Sequence, residues 1–155
     1  MAATAPFDCR ELGPITGHGF VTPFTIKDAE LIYAGIMVAQ DASPEVVQAS
    51  DTAGLQVLGV AQSSVDNTDD GETLMVRVGI YRYMNDAGNP VSKADIGNPV
   101  FVHGTDAITI CTDAGSTHKV CAGVCFDVES VGGCEYVWVD NTQCQIGLSG
   151  YRIGV

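Results

Sequence analysis

The sequence has few basic residues and no long apolar run. Seven lysines and arginines stand against nineteen aspartates and glutamates, so the formal net charge is −12. This excess of negative charge repels nucleic-acid phosphates and anionic membranes, and we expect neither as a partner. No segment approaches the ~18 apolar residues of a membrane-spanning helix. The first residues lack the basic start and apolar stretch of a secretory signal. We therefore expect a soluble protein made in a cytosol.

Long amphipathic helical patterns are also missing, and this absence points to a fold class. The 155 residues suffice for about one domain with a core, and 18 glycines and six prolines indicate many turns. Short strand-like runs recur along the chain, at 31–39, 54–62, 73–83, 107–112, 118–130 and 134–141. This spacing predicts an all-β domain, either a small barrel (β-tulip-like) or a sandwich. No internal repeat of fixed period is evident.

The clearest alternation of apolar and polar residues lies after the acidic stretch at 66–72. It predicts one half-exposed strand, in which Gly79 marks a bulge or a close neighbour. Its buried face would carry Leu74, Val76, Val78 and Ile80, and its exposed face Met75, Arg77 and Tyr81. Further along, Gly132 and Gly133 predict a hairpin turn between the last two strands.

Residues 1–27 differ from the rest of the chain because they show no sustained period. They contain proline and glycine but also apolar side chains, which a solvated tail would lack. We interpret them as an extended N-terminal arm that docks on its own core, a sister subunit or a partner, and residues 28–155 as the barrel-like domain. A first strand plus a loop is the alternative. The candidate contact residues are Phe7, Ile15, Phe20, Val21 and Phe24.

The stretch "SKADIGNPVFV" predicts one helical turn followed by a strand. Ser92 can cap the turn, and Asp95 can return a bond to the Ser92 amide. Gly97 suits the left-handed residue that ends such a turn. We expect this turn to carry the chain across one end of the barrel, with Ile96 as an apolar plug. An ordinary loop is the alternative.

Residues with catalytic or metal-binding chemistry are scattered. His18, His103 and His118 have no partner in the sequence, and no nucleophile elbow or phosphate loop occurs. We therefore expect no enzyme activity and no cofactor. The stretch 66–72 fits an EF-hand loop only in part, because Thr68 and Arg77 stand where acidic ligands belong. A solvated acidic loop is the better interpretation.

Six cysteines raise the question of their state. Without a secretory signal, disulfides are not the default, and buried free thiols are the preferred interpretation. A zinc site built from His118 and the later cysteines, or a disulfide formed after release from the cell, stays open. The cysteines are Cys9, Cys111, Cys121, Cys125, Cys134 and Cys144.

The order of several segments resembles the decoration, or cement, proteins of tailed-bacteriophage capsids. The resemblance covers roughly residues 31–140, and its most specific parts are the "ADIG" turn and the "AG…V…V" hairpin. The other matching segments are "AGIMVA", "LGVA", "VRVG" and "VWVD".

The resemblance implies a β-rich virion protein that binds the outer surface of the expanded capsid and reinforces the shell against DNA pressure. It implies the major capsid protein as partner, a homotrimer on the shell, and an N-terminal arm that orders there. Residues 1–27 and the tail after Asp140 match no motif of the family. Two alternatives remain: a tail, fibre or other virion-surface β module, and a zinc-stabilised binding module.

Overall fold

The computed structural model describes residues 21–69 and 71–142. This part of the chain is almost entirely β, which confirms the predicted fold class. The strands are β1 (Val21–Thr25), β2 (Leu31–Ile32), β3 (Met37–Gln40), β4 (Val46–Gln48), β5 (Gln56–Ala61), β6 (Val65–Asp66), β7 (Thr73–Arg77), β8 (Ile80–Asn85), β9 (Pro99–Val102), β10 (Thr109–Cys111), β11 (Cys121–Val131) and β12 (Cys134–Asp140). Two single 3₁₀ turns, Lys93–Asp95 and Asp113–Gly115, join them, where we expected one.

The strands form two five-stranded sheets and one small pair. The N-terminal sheet has the order β1-β7-β5-β3-β4, and a parallel bridge between Ile26 and Val46 joins its two edges. The second sheet, the C-terminal barrel, has the order β8-β12-β11-β9-β10 and closes through parallel pairing of β10 with β8. Strands β2 and β6 pair beside the N-terminal sheet. Buried side chains from both sheets form one core cluster.

The two sheets share one topology. In chain order β1, β3, β4, β5 and β7 correspond to β8, β9, β10, β11 and β12, and each sheet has its antiparallel neighbours and its parallel closure in the same places. This structural repeat has no fixed period in the sequence, in agreement with the sequence analysis. The sequence hides it because equivalent positions lie 59 apart in the first strands (Val21 and Ile80) but 64 apart in the fourth (Val60 and Val124). No single offset aligns the two halves.

A glycine bulge recurs at the same place in both sheets. In β5 an extra residue precedes Gly59, and in β11 an extra residue precedes Gly123. Both glycines have positive φ, +154° and +146°. A Cβ on Gly59 would lie 2.5 Å from the carbonyl oxygen of Arg77, and a Cβ on Gly123 would collide with that of Asp140. Only glycine permits this close approach of neighbouring strands.

The predicted strand at 73–83 is two strands in different sheets. The chain leaves the N-terminal sheet after Arg77 and enters the C-terminal barrel at Ile80. The expected exposure holds for Met75, but Tyr81 is buried, because it belongs to the barrel and not to the half-exposed strand before it. The run at 31–39 is likewise split, by a turn in which Gly35 has φ +84°.

The junction between the sheets is held by a reciprocal pair of hydrogen bonds. The Gly79 amide donates to Oδ1 of Asn141 at 2.8 Å, and the Asn141 amide donates to the Gly79 carbonyl at 3.0 Å. Both residues are buried. The residue after the last strand of the barrel is therefore bonded to the link between the two sheets.

Asp51 forms a second connection between the halves. Its carboxylate accepts hydrogen bonds from the Ser116 hydroxyl at 2.9 Å and from the backbone amides of Thr117 at 2.5 Å and His118 at 2.8 Å. Burial alone would raise the pKa of Asp51, but these three donors outweigh it and lower the pKa below its usual value. The ionised carboxylate thus ties the loop after β4 to the loop before β11.

The repeat predicts that alanine at Gly59 or Gly123 destabilises the fold by a similar amount, about 2–4 kcal/mol each, because both place a Cβ against a neighbouring strand. Gly88→Ala is the control, since the nearest atom to its Cβ is 3.5 Å away. Urea unfolding measures all three variants. A cost at Gly59 or Gly123 no larger than that at Gly88 would contradict the close-approach argument.

Asp51→Asn is expected to lower the free energy of unfolding at pH 7 by about 2 kcal/mol, because an amide nitrogen cannot accept these bonds. The folded-state pKa of Asp51 is lowered, so its stabilisation is present above the unfolded pKa near 4 and is lost as pH falls through the folded pKa. The difference between wild type and Asp51→Asn should therefore shrink below about pH 4. A difference that does not depend on pH would refute the ionic contribution. Asp28→Asn, at an exposed position, is the control.

Candidate interaction surface

The first 3₁₀ turn has the predicted capping geometry. The Ser92 side chain accepts a hydrogen bond from the Ala94 amide at 3.3 Å, and the Asp95 carboxylate accepts one from the Ser92 amide at 2.8 Å. Gly97 then takes φ +87°. The turn lies in the connection from β8 to β9, which passes β10, the strand between them in the barrel.

Two contacts fix this turn against β11. The Gly97 amide donates to the Cys125 carbonyl at 2.8 Å. Lys93 Nζ lies 2.6 Å from Oδ1 of Asp127, and this hydrogen bond is the main cause that lowers the pKa of Asp127. The ion pair is largely exposed, so we assign it a positioning role and little stability.

Ile96 does not plug the barrel, which corrects our expectation. Its side chain is 47% exposed, because the single 3₁₀ turn ends there and the chain leaves in an extended conformation. Val91, only 1% exposed, is the buried residue of this connection. The Asn85 side chain holds Val91 from both sides, donating to its carbonyl and accepting from its amide, each at 2.8 Å.

Phe126 is a second large apolar side chain on the outside, and we did not single it out from the sequence. It is the extra residue of a bulge in β11, between Cys125, which pairs with Val139, and Asp127, which pairs with Trp138. The bulge leaves Phe126 46% exposed. Ile96 precedes Gly97 in the chain and Phe126 follows Cys125. Since the Gly97 amide is hydrogen-bonded to the Cys125 carbonyl, Ile96 and Phe126 flank the same hydrogen bond. We call these two residues the apolar pair.

Only some of the proposed arm residues lie in the part of the chain that the structure describes. Phe7, Ile15 and Phe20 lie outside the described residues. Val21 begins β1, which pairs with β7 along its whole length. Phe24 is half-buried and packs against the core of its own chain, and Ile26 is 1% exposed. Residues 21–26 are therefore part of the N-terminal sheet.

The acidic stretch at 66–72 is not simply a solvated loop. Asn67 is fully buried, and its side-chain amide donates to the carbonyls of Ile26 and Lys27, both at 3.0 Å. Its side-chain oxygen accepts from the Glu72 amide at 2.8 Å. Asn67 thus anchors the loop to the end of β1. A single asparagine among aspartates gives no sequence signal for this role.

The histidines and the other side chains with metal-binding chemistry lie apart from one another. His103 Nε2 is 3.6 Å from Oδ1 of Asp86, whereas His118 is exposed and uses its backbone amide on Asp51. His18 lies outside the described residues. Within residues 21–69 and 71–142, no three His, Cys, Asp or Glu side chains are grouped so that they could hold a metal ion. Over the same residues, no helix has the length and apolar character to cross a membrane.

A shallow groove of about 430 Å³ lies beside the closure of the N-terminal sheet. Lys27 and Asp41 line it and form an ion pair at 2.9 Å. Its other lining residues include Val47 and Leu55, which are apolar, and serines, a threonine and a glutamine, which are polar. The groove is wide open and does not converge polar groups on one point, as a small-molecule site does.

Cys111, Cys125 and Cys134 are free thiols, and the described cysteines lie in different surroundings. Cys111 and Cys125 are buried, as expected, Cys121 is half-buried, and Cys134 is exposed beside the Gly132–Gly133 turn, contrary to the expectation of burial. Cys9 and Cys144 lie outside the described residues. Burial, helped by nearby carboxylates, raises the pKa of Cys111 and of Cys125 to about 11.

No known family model matches the chain, and no curated protein matches it.

We expect Cys111 and Cys125 to be alkylated by iodoacetamide at pH 8 at least about 100-fold more slowly in the folded protein than in the urea-unfolded chain, because the thiolate is the reactive form. Cys134 should change little between the two states. Peptide mass spectrometry after timed labelling measures each site. If all three cysteines were protected equally in the folded protein, the exposure that the structure gives Cys134 would be contradicted.

Proposed function

We propose that this protein is a structural virion component that binds the outside of an expanded tailed-bacteriophage capsid and stabilises the shell. The observation that carries the proposal is the position of the resembling segments in the fold. "AGIMVA" and "VRVG" overlap β3 and β7, "LGVA" lies in β5, and "VWVD" lies in β12. The "ADIG" segment forms the turn before β9, and the "AG…V…V" hairpin is β11 and β12.

Charge supports an outer position on a DNA-filled container. A chain with a formal charge of −12 is repelled by packaged DNA and has no electrostatic reason to cross the shell. The groove beside the closure of the N-terminal sheet is shallow. Such a protein acts through its surfaces, and many weak contacts repeated over one lattice add up to firm attachment.

The N-terminal segment has a defined point of departure. It precedes β1, which is at the edge of the N-terminal sheet. The Met75 carbonyl accepts a hydrogen bond from the Gln62 amide and so points away from β1. The backbone of Pro23, the residue paired with Met75, therefore points away from β7. Because proline has no N–H, the outer edge of β1 has no donor at this position. Strand addition to β1 itself is thus disfavoured. In our proposal residues 1–20, with Phe7, Ile15 and Phe20, contact the capsid or a neighbouring subunit by adding to an edge of that partner.

The mode of binding implies the partners. The major capsid protein is the proposed partner, and a homotrimer at local three-fold positions is the proposed arrangement. A low-copy tail or fibre module uses the same kind of β surface and is the alternative. The two differ in copy number and in where the protein sits on the particle.

Co-sedimentation of the full-length protein with expanded heads that lack it, followed by cryo-electron microscopy of the pellet, tests the proposal. We expect density repeated over the outer surface at three-fold positions. Absence of binding, or density at a single vertex, would contradict it, and the second result would favour the fibre alternative.

The contribution of the N-terminal segment is tested in the full chain with F7D/I15D/F20D. Loss of these apolar side chains should weaken head binding at least about tenfold without changing the thermal midpoint. The control T4D/A5D/T16D adds the same charge to the same segment and should bind nearly as wild type. Equal loss by both variants would show that the added charge, and not the loss of anchors, is responsible.

A further inference from the structure

The repeated fold provides an internal comparison for the apolar pair. In the N-terminal sheet the Gly35 amide donates to the Ala61 carbonyl at 2.9 Å, as the Gly97 amide donates to the Cys125 carbonyl at 2.8 Å. The return bonds match as well, from the Ala61 amide to Ile36 at 3.0 Å and from the Cys125 amide to Asn98 at 2.9 Å. Gly35 and Gly97 also share their backbone conformation, with φ +84° and +87°.

These matched bonds assign an equivalent to each member of the apolar pair. Ile96, which precedes Gly97, corresponds to Ala34, and Phe126, which follows Cys125, corresponds to Gln62. The same pair of backbone hydrogen bonds therefore forms beside a small side chain and a polar side chain. The fold does not require large apolar residues at Ile96 and Phe126, although both are close to half exposed. Their apolar character calls for another explanation, and an interface provides one.

The charges near the pair limit what can cover it. Asp95 and Asp127 lie beside it, and Lys93 is the basic residue there, bonded to Asp127. The whole chain carries a formal charge of −12. A second copy would bring the same negative excess to the contact, whereas a partner surface with lysines and arginines around an apolar centre would complement it.

We propose that Ile96 and Phe126 form a docking surface for a partner protein with an apolar pocket and a basic rim. This inference rests on the proposed function, in which that partner is the capsid shell. Ile96 is set in place by the capped turn, and Phe126 by the bulge of β11, so both side chains are presented from a rigid backbone. Anchors held in this way bind with little loss of conformational freedom.

The test uses the full-length protein with I96D/F126D and, as a matched control, A34D/Q62D at the equivalent positions of the other sheet. Both variants add the same charge. We expect I96D/F126D to weaken binding to expanded heads at least about tenfold and A34D/Q62D to bind as wild type. Thermal unfolding verifies that each variant is folded. The neutral pairs I96N/F126N and A34N/Q62N replace any variant that fails to fold.

The outcomes separate this inference from the proposed function. If wild-type protein does not bind heads, the proposed function fails. If wild type binds and I96D/F126D binds equally well, or both variants lose binding equally, the docking surface is wrong and the proposed function stands. Head binding that strengthens with ionic strength would overturn the basic rim. Sedimentation of the protein without heads tests whether a second copy of the chain covers the apolar pair. If wild type forms an oligomer that I96D/F126D dissociates, the partner is a second copy and the proposal is overturned.

Discussion

The close approach of backbone to backbone at Gly59 and Gly123 is the constraint on which both sheets depend. Each glycine follows a bulged residue and lets its strand pass against the last strand of the same sheet at a distance that excludes a Cβ atom. A bulge increases local twist and bends the strand. A five-stranded sheet bent in this way can bring its edges together, and in both halves they meet through parallel contacts, at Ile26–Val46 and between β8 and β10.

The repeat also explains how the two halves diverge. Closure and core are common to both, so the differences lie in the connections. Between its first two main strands the N-terminal sheet has the short strand β2, and the C-terminal barrel has the capped turn. Between its last two main strands the N-terminal sheet has β6 and the acidic stretch anchored by Asn67, whereas the last two strands of the C-terminal barrel form a long hairpin. Ile96 lies in the connection that contains the capped turn, and Phe126 lies at the bulge of β11, which has no counterpart in β5.

Local signals in the sequence predicted much of this structure. The all-β class, the Gly132–Gly133 turn and the Ser92–Asp95 cap depend on residues close together in the chain, and the φ values of +59° and +85° at the two glycines agree with the predicted hairpin. The repeat, the sheet change at Gly79 and the buried roles of Asn67 and Asn141 depend on pairings between distant segments. The apolar alternation continues through Gly79 although the sheet does not, because Val78 and Ile80 on either side of it are both buried.

The candidate surface follows the same division. Ser92, Asp95 and Gly97 could be assigned from their spacing, but the direction of the Ile96 side chain could not, since one helical turn ends too soon to fix which side faces the core. Phe126 was hidden for a related reason: a bulge shifts the alternation by one residue, and nothing in "AGVCFDV" marks where the shift occurs. Residues 1–20, which contain most of the candidate arm contacts, lie outside the described chain.

The reciprocal bonds between Gly79 and Asn141 have a mechanical consequence. Modules of a tandem array contact mainly their neighbours and tend to melt one by one. Here the end of the last strand is bonded to the link between the modules, and Asp51 adds a second cross-connection. Tension applied beyond β12 therefore reaches the inter-module link through these bonds. The two halves, which share one topology, are thereby tied to each other at two points that a simple tandem array lacks.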